Sequence, residues 1–316
     1  MRYGITIPLD RPIGIVGDLA AHAEKLGFDE LWLADHYYNR DVSVALTLMA
    51  ERTSTTTLGT AVASPFLRHP ALLASLAGTI AELAGDRFVL GLGSGGYEFS
   101  QHLDVPIKRP LAAITEATRI VRDLHAGSAD VTGEVFSTRG ALRWPVSSTP
   151  VYLAARGPKM LALAGQIADG VITHGISDTH VDYVRDKTGA GTDVCIMLDV
   201  EIGDDQRAAY DRLRPRCLMM AGGSYADELI DVYGLSRDEV TALRHTLRTG
   251  GREEATALVT DDIAAAFGIA GPVSHVREQL ARLEANGVDS VILSVGGADA
   301  DEISDHMTRL AEAVHA

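Results

Sequence analysis

Only two cysteines, Cys195 and Cys217, occur in 316 residues. Two are too few for a disulfide framework, and their separation fits no zinc motif. Basic residues are also in short supply, 28 against 43 acidic, for a formal charge of −15. Such a field repels nucleic acid and anionic membrane, so neither is an expected partner. An anionic ligand would need a local, donor-rich pocket. No apolar run approaches the roughly eighteen residues of a membrane span. The opening Met1–Pro8 already reads as a strand rather than the apolar core of a signal peptide, which leads to the expectation of a cytoplasmic protein.

What is present is an alternation of short β-branched runs with longer helical patterns, the mark of parallel βα units. Strands are expected at Tyr3–Pro8, Glu30–Ala34, Leu58–Ala63, Phe88–Gly91, Val151–Ala154, Gly170–Thr173, Val194–Val200 and Ser290–Val295. Helical patterns fall between them, at Ile15–Leu26, Pro70–Leu83, Leu111–His125 and Pro158–Ile167. Leu26-Gly27-Phe28-Asp29 and Asn286-Gly287-Val288-Asp289 repeat one layout: a glycine just past a helix, then a short turn into a strand. Eight strands, the last near the C-terminus, favour closure into a (β/α)8 barrel, an α/β fold of one domain over residues 1–316.

Two stretches exceed the minimal unit. Val131–Phe136 followed by Leu142-Arg143-Trp144 reads as a small hairpin. Between the seventh and eighth strands lie roughly ninety residues, far more than one helix needs. Ser236-Arg237-Asp238-Glu239 is a capping-box pattern there, and Ala255–Phe267 is a further helical run. An inserted helical segment at about 204–270, shaping the barrel mouth, is the expectation.

In a parallel barrel the loops that follow the strands gather on one face and hold the site. The second strand ends in Asp35-His36, which can bring an imidazole to the pocket for proton handling. The same pair could equally do no more than hydrogen-bond loop backbone. The small residues of Thr60-Ala61-Val62-Ala63-Ser64 suit either close strand packing or a flat ligand lying near the backbone. Gly91-Leu92-Gly93-Ser94-Gly95-Gly96-Tyr97 lacks the spacing of a dinucleotide-binding loop, although its backbone could still cradle ligand oxygens. Ala154-Ala155-Arg156-Gly157-Pro158-Lys159 places proline at a helix start beside two cations. It reads as a phosphate seat or as an ordinary helix start with solvated charges.

Taken together, Trp32–Tyr37, Leu58–Pro65, Arg68-His69-Pro70, Asp86–Gly93, Pro150–Pro158 and Ala168–Ile172 resemble the luciferase-like flavin and deazaflavin oxidoreductases. Within that superfamily they are most similar to the deazaflavin-dependent methylenetetrahydromethanopterin reductases. The resemblance implies coenzyme F420 as cofactor, with FMN as the alternative, and no metal. It implies that Asp35 contacts the cofactor while His36 handles a proton beside the reacting ring. A cis peptide at Ala61–Val62 would press on that ring, with Ser64 close by. Ser94-Gly95-Gly96 and the loop from Ala154 to Lys159 would hold the cofactor's side chain and phosphate. Two positions depart from the pattern. Sugar-phosphate dehydrogenases of the group carry a glutamate where Gly96 stands, and the pterin reductases carry one where Thr6 stands. The scaffold for hydride transfer is kept while the substrate chemistry is altered.

The expected activity is therefore hydride transfer between C5 of the deazaflavin and a small organic substrate: an imine, enone, carbonyl or alcohol. Thr6, Tyr97 and His174 are expected to line the substrate pocket, and a homodimer or higher homo-oligomer is expected. The rivals are an FMN-dependent monooxygenase on the same barrel and a flavin-binding barrel without catalysis.

Overall fold

The structure is a computed structural model that describes residues 1–95, 100, 102–223 and 227–315. Strands β1 (Arg2–Thr6), β2 (Glu30–Leu33), β3 (Thr57–Thr60), β4 (Phe88–Leu92), β7 (Val151–Ala154), β8 (Gly170–Thr173), β9 (Asp193–Ile202) and β11 (Ser290–Ser294) all run parallel. Each pairs with its neighbours in that order, and β11 returns to β1, so the sheet closes into the (β/α)8 barrel. Between β4 and β7 an antiparallel hairpin joins β5 (Ala129–Thr132) to β6 (Ser137–Gly140). The hairpin was expected, but its second arm is Ser137–Gly140 rather than Leu142–Trp144. No described helix is long and apolar enough to cross a membrane.

The repeated corner has a local cause. Gly27 and Gly287 adopt φ of 88° and 80°, which closes the preceding helix at little steric cost. Phe28 and Val288 then donate their amides back to Ala23 and Leu283 and bury their side chains. Elsewhere side chains cap the helices: Asp41 accepts from the Ser43 amide, Ser177 from His180 and Ser236 from Glu239.

The inserted segment differs from an all-helical reading. It holds helices Gln206–Gly222, Glu228–Val232, Arg237–Thr249, Arg252–Thr256 and Asp261–Ala265, then a ninth parallel strand, β10 (Gly268–Gly271). The run expected as one helix over Ala255–Phe267 is broken because Thr260 starts a new helix, its hydroxyl accepting from the Ile263 amide. β10 pairs with Asp199–Ile202 of β9, whereas β8 pairs only with Asp193–Ile196. Above Ile196 the barrel wall therefore opens between β8 and β9, and the insertion enters there with its own apolar cluster around Leu213, Leu218, Leu243 and Phe267.

The barrel interior is filled rather than hollow. Trp32, Ala61, Val89, Tyr152, Ile172, Cys195 and Ile292 pack together inside it. The indole needs glycine on both sides, since a Cβ on Gly4 or Gly59 would lie 2.9 or 2.4 Å from it. Below this layer, at the amino-terminal strand ends, Arg2 donates to Glu30 (2.6 Å), Asp193 (2.8 Å) and Tyr152 (3.3 Å). Tyr152 donates in turn to Asp193 at 2.6 Å, and the Trp32 indole to Glu30 at 3.0 Å. Burial pushes the Glu30 carboxyl up, opposed by its bonds to Arg2 and Trp32.

Candidate active site

Side chains alternate along a strand, so the lumen cluster identifies which residues face the mouth. Cys195 and Met197 pack in the lumen, which puts Asp199 on the same face of β9. Ile292 likewise assigns Ser294, Tyr152 assigns Ala154, and Ile172 assigns His174 just past β8. Gly4 lies against Trp32 within the lumen, so Thr6 follows it at the top of β1.

The resulting rim has two unlike halves. On the side of β3, β4 and β7 it carries Ala61, Val62, Gly93 and Ala154. The Ala61–Val62 peptide is cis, as the resemblance implied, and both side chains pack against the lumen cluster. Around this point the ladder is completed by other means. Ala61 donates to the Leu33 carbonyl at 2.8 Å and Ala63 to Gly91 at 2.9 Å, while the Thr60 hydroxyl bridges the Gly91 amide and carbonyl. Space here is minimal. A Cβ on Gly91 would meet the Thr60 carbonyl at 1.9 Å, and one on Gly93 would meet Val62 at 2.6 Å and Ala154 at 3.1 Å. The glycines of the fourth strand thus serve close packing. Beyond them the buried Ser64 hydroxyl donates to the Ser94 carbonyl at 3.4 Å, joining the two loops. Gly95 has φ 84° and is exposed. Gly96 and Tyr97 lie outside the described residues.

The other half, from β8, β9, β11 and β1, is polar: His174, Asp199, Ser294 and Thr6, all half-buried. They are neighbours by register, Thr6 opposite Ser294 and Ser294 opposite Asp199. The Ser294 hydroxyl donates to the Asp199 carboxylate. His174 places Nδ1 3.0 Å from the Met197 carbonyl, which makes Nδ1 the donor and leaves Nε2 as acceptor in the neutral ring. Burial first, and nearby Arg156 second, bring its pKa down to about 4, so this ring is neutral at pH 7.

The Asp35-His36 pair is divided between tasks. Asp35 does not orient His36; its carboxylate accepts from Arg68 Nε at 2.8 Å, and Arg68 also holds Asp41 at 2.7 Å. That clamp ties the loop after β2 to the loop after β3. His36 is exposed at the mouth, stacked on Tyr37 at 4.3 Å, and its Nδ1 accepts from the Tyr38 amide at 3.2 Å. Tyr37 in turn meets His102 Nδ1 at 2.7 Å.

The loop after β7 is tied in part to the insertion. The Arg156 guanidinium turns to the insertion, donating to the Met220 carbonyl at 2.9 Å and the Tyr233 hydroxyl at 3.1 Å. The Ala155 amide is bound by the Ile172 carbonyl. An anion at this loop is left with the start of helix Pro158–Ile167, where Gly157 supplies no side-chain cap, and with exposed Lys159. Among the described residues no three His, Cys, Asp or Glu side chains cluster as metal ligands. A hollow of about 680 Å³, lined by Gly78, Glu82, Asp86, Trp144 and Ser147, lies outside the barrel at the opposite end from this rim.

Asp199 and Ser294 are absent from the residues that sequence reasoning selects. The available signal was the alternation Cys195, Met197, Asp199, Glu201 along one strand, which brings two carboxylates onto a face that is otherwise buried.

Comparison with known proteins shows the family. A family model described as luciferase-like monooxygenase matches residues 1–290. The chain is 32% identical over 308 residues to a 5,10-methylenetetrahydromethanopterin reductase of Archaeoglobus fulgidus, covering 92% of each. It is 30% identical to a putative coenzyme F420-dependent oxidoreductase of Mycobacterium tuberculosis, covering 89% of this chain and 91% of that one. The solved structure of the coenzyme F420-dependent tetrahydromethanopterin reductase from Methanopyrus kandleri superposes with a TM-score of 0.84 at 25% identity, over 98% of this chain and 97% of that one. With a family match across most of its length and relatives aligned nearly end to end, the chain belongs to the luciferase-like monooxygenase family.

Proposed function

We propose that this chain is an oxidoreductase that binds coenzyme F420 and moves a hydride between the deazaflavin and a small organic substrate: an imine, enone, carbonyl or alcohol. The observation that carries the reading is the divided rim. We read the segment of small side chains at Ala61, Val62, Gly93 and Ala154 as the recess for a ring, across the mouth from a polar wall at His174, Asp199, Ser294 and Thr6. Relatives named for coenzyme F420 along about nine-tenths of the chain support the choice of cofactor.

The residues fit a deazaflavin. Small side chains here would let a planar ring lie against backbone, where larger ones would exclude it. Ser64 and Ser94 hold the loops on either side of the ring. The uncapped start of helix Pro158–Ile167, with Lys159, offers amides and a cation to the phosphate. When bound, the cofactor supplies hydride chemistry at C5. The protein's part is to orient substrate against the recess and to handle the accompanying proton. His36, exposed at the mouth with its Nδ1 engaged by the Tyr38 amide, presents Nε2 for that purpose.

The description of the matching family model favours one second reading, an FMN-dependent monooxygenase. Fluorescence-quenching titrations with coenzyme F420 and with reduced FMN separate the two. Coenzyme F420 should bind at least about tenfold more tightly, a difference of ~1.4 kcal/mol. Tighter binding of reduced FMN with oxygen consumption would overturn the reading.

A further inference from the structure

We propose that Asp199 is the substrate-binding carboxylate of this site, and that it selects substrates bearing an O–H or N–H donor, neutral or cationic, over anionic ones. The inference rests on the reading of the mouth as a hydride-transfer site and says what the polar wall is for.

The argument begins with position. Asp199 lies on the lumen face of β9, two residues beyond Met197, where the barrel has already opened. It stands across from Ser294, which stands across from Thr6, so three adjacent strands carry carboxylate, hydroxyl, hydroxyl at one level. The wall faces the small-residue recess. A substrate over the recess therefore meets these groups first.

The charges around Asp199 decide what it can bind. Glu201, two residues further out on the same face, is held by two arginines: Arg216 at 2.5 Å and Arg212 at 2.9 Å. Arg216 also donates to the Val200 carbonyl at 3.1 Å. Its Nε lies 3.5 Å from Asp199 and makes no hydrogen bond there. Arg212 is thus committed to Glu201, while Arg216 bonds Glu201 and stands as a more distant ion-pair partner of Asp199. Asp199 accepts only from Ser294 among the described residues, and its side chain remains 24% exposed. The other members of the wall carry no charge, since Thr6 and Ser294 are hydroxyls and the His174 ring is neutral at pH 7. An anionic substrate would meet the Asp199 carboxylate at the mouth, with Arg216 behind it already shared between Asp199 and Glu201. A donor-bearing substrate would meet an acceptor already oriented by Ser294.

The test uses the full-length protein, with and without saturating coenzyme F420, and three probes of one size: cyclohexylammonium, cyclohexanol and cyclohexanecarboxylate. Isothermal calorimetry should show wild type binding the ammonium and the alcohol more tightly than the carboxylate. Asp199→Asn preserves shape and the acceptor for Ser294 while removing the charge. It should weaken ammonium binding about tenfold or more, as expected for a charge-assisted hydrogen bond. The affinity for coenzyme F420 should stay within about twofold. Ser294→Ala keeps the carboxylate and loosens it, with an expected weakening of about threefold, and it decides the matter should Asp199→Asn fail to fold. Equal ammonium binding by wild type and variants, no ammonium binding by wild type, or a preference for the carboxylate would each overturn the proposal. Failure of wild type to bind coenzyme F420 would instead remove the hydride-transfer reading, and the cofactor-free titrations would still judge Asp199.

Discussion

The two ends of the barrel make opposite use of charge. At the amino-terminal end Arg2, Glu30, Asp193 and Tyr152 satisfy one another across β1, β2, β7 and β9, and Trp32 seals the network from above. At the carboxyl end the strands finish in small residues on one side and in incompletely satisfied polar groups on the other. A closed network gives up reactivity for rigidity, whereas an open one keeps groups available to a ligand. The contrast follows from the parallel barrel, in which only the ends that carry the βα loops can be varied without disturbing the core.

This comparison is tested most severely at Glu30. Glu30→Ala leaves the half-exposed Arg2 with Asp193 and Tyr152 and removes the acceptor of the Trp32 indole. The expected loss is about 3 kcal/mol in unfolding free energy, from one charge-assisted hydrogen bond and an indole left without a partner. Denaturant melts would measure it, and affinity for coenzyme F420 should change less than about twofold. Ala154→Phe is the reciprocal experiment at the mouth. A phenyl ring in the recess should weaken coenzyme F420 at least about 100-fold, ~2.7 kcal/mol in binding. Its melting temperature should stay near that of wild type, because Ala154 is half-buried at the opening. Loss of stability without loss of binding would show that the recess is part of the core.

The smallest expected effect concerns pH. His174 and His180 both have pKa values lowered to about 4, chiefly by burial. A histidine whose folded pKa is depressed favours the folded state while neutral. That stability is complete above the unfolded value near 6.5 and is lost as pH falls toward 4. Glu24 and Asp41, lowered to about 2 mainly by hydrogen bonds they accept, act in the same direction at lower pH, between about 4.5 and 2. Stability should therefore fall on acidification below about pH 6.5, opposed by Glu30, whose raised carboxyl favours the folded state once protonated. His180 is fully buried, with Nδ1 on the Gly175 carbonyl and Nε2 unpartnered among the described residues. His180→Asn should flatten the slope between about pH 6.5 and 4, and an unchanged slope would assign the effect elsewhere.

Much of the fold could be read from sequence because its signals are local. Gly27 and Gly287 announce their corners through a backbone conformation that glycine adopts at little cost, and the strands announce themselves through β-branched runs. β10 was not legible. Gly268-Ile269-Ala270-Gly271 follows a helical run directly and has no strand pattern of its own, so only pairing with β9 makes it a strand. Placement at the mouth was legible where a motif lies in one loop, as at Asp35-His36, and not where a side chain's partner is distant. Arg68 holds Asp35 from 33 residues away, and Arg156 reaches Met220 across 64. Nothing near Arg156 in the chain signals that its guanidinium reaches the insertion.

Sequence alone was sufficient to determine the closed barrel, the unusual peptide at Ala61–Val62, through family resemblance, and the strand ends that gather at the mouth. These depend on short-range backbone preferences and on motifs contiguous in the chain. The division of the mouth into a side of small residues and a polar wall was decided only by the tertiary structure. It arises from register between strands far apart in sequence, Thr6 beside Ser294 beside Asp199, and from where each arginine finds its carboxylate. Register and ion pairing are properties of closure, and they do not exist until the strands meet.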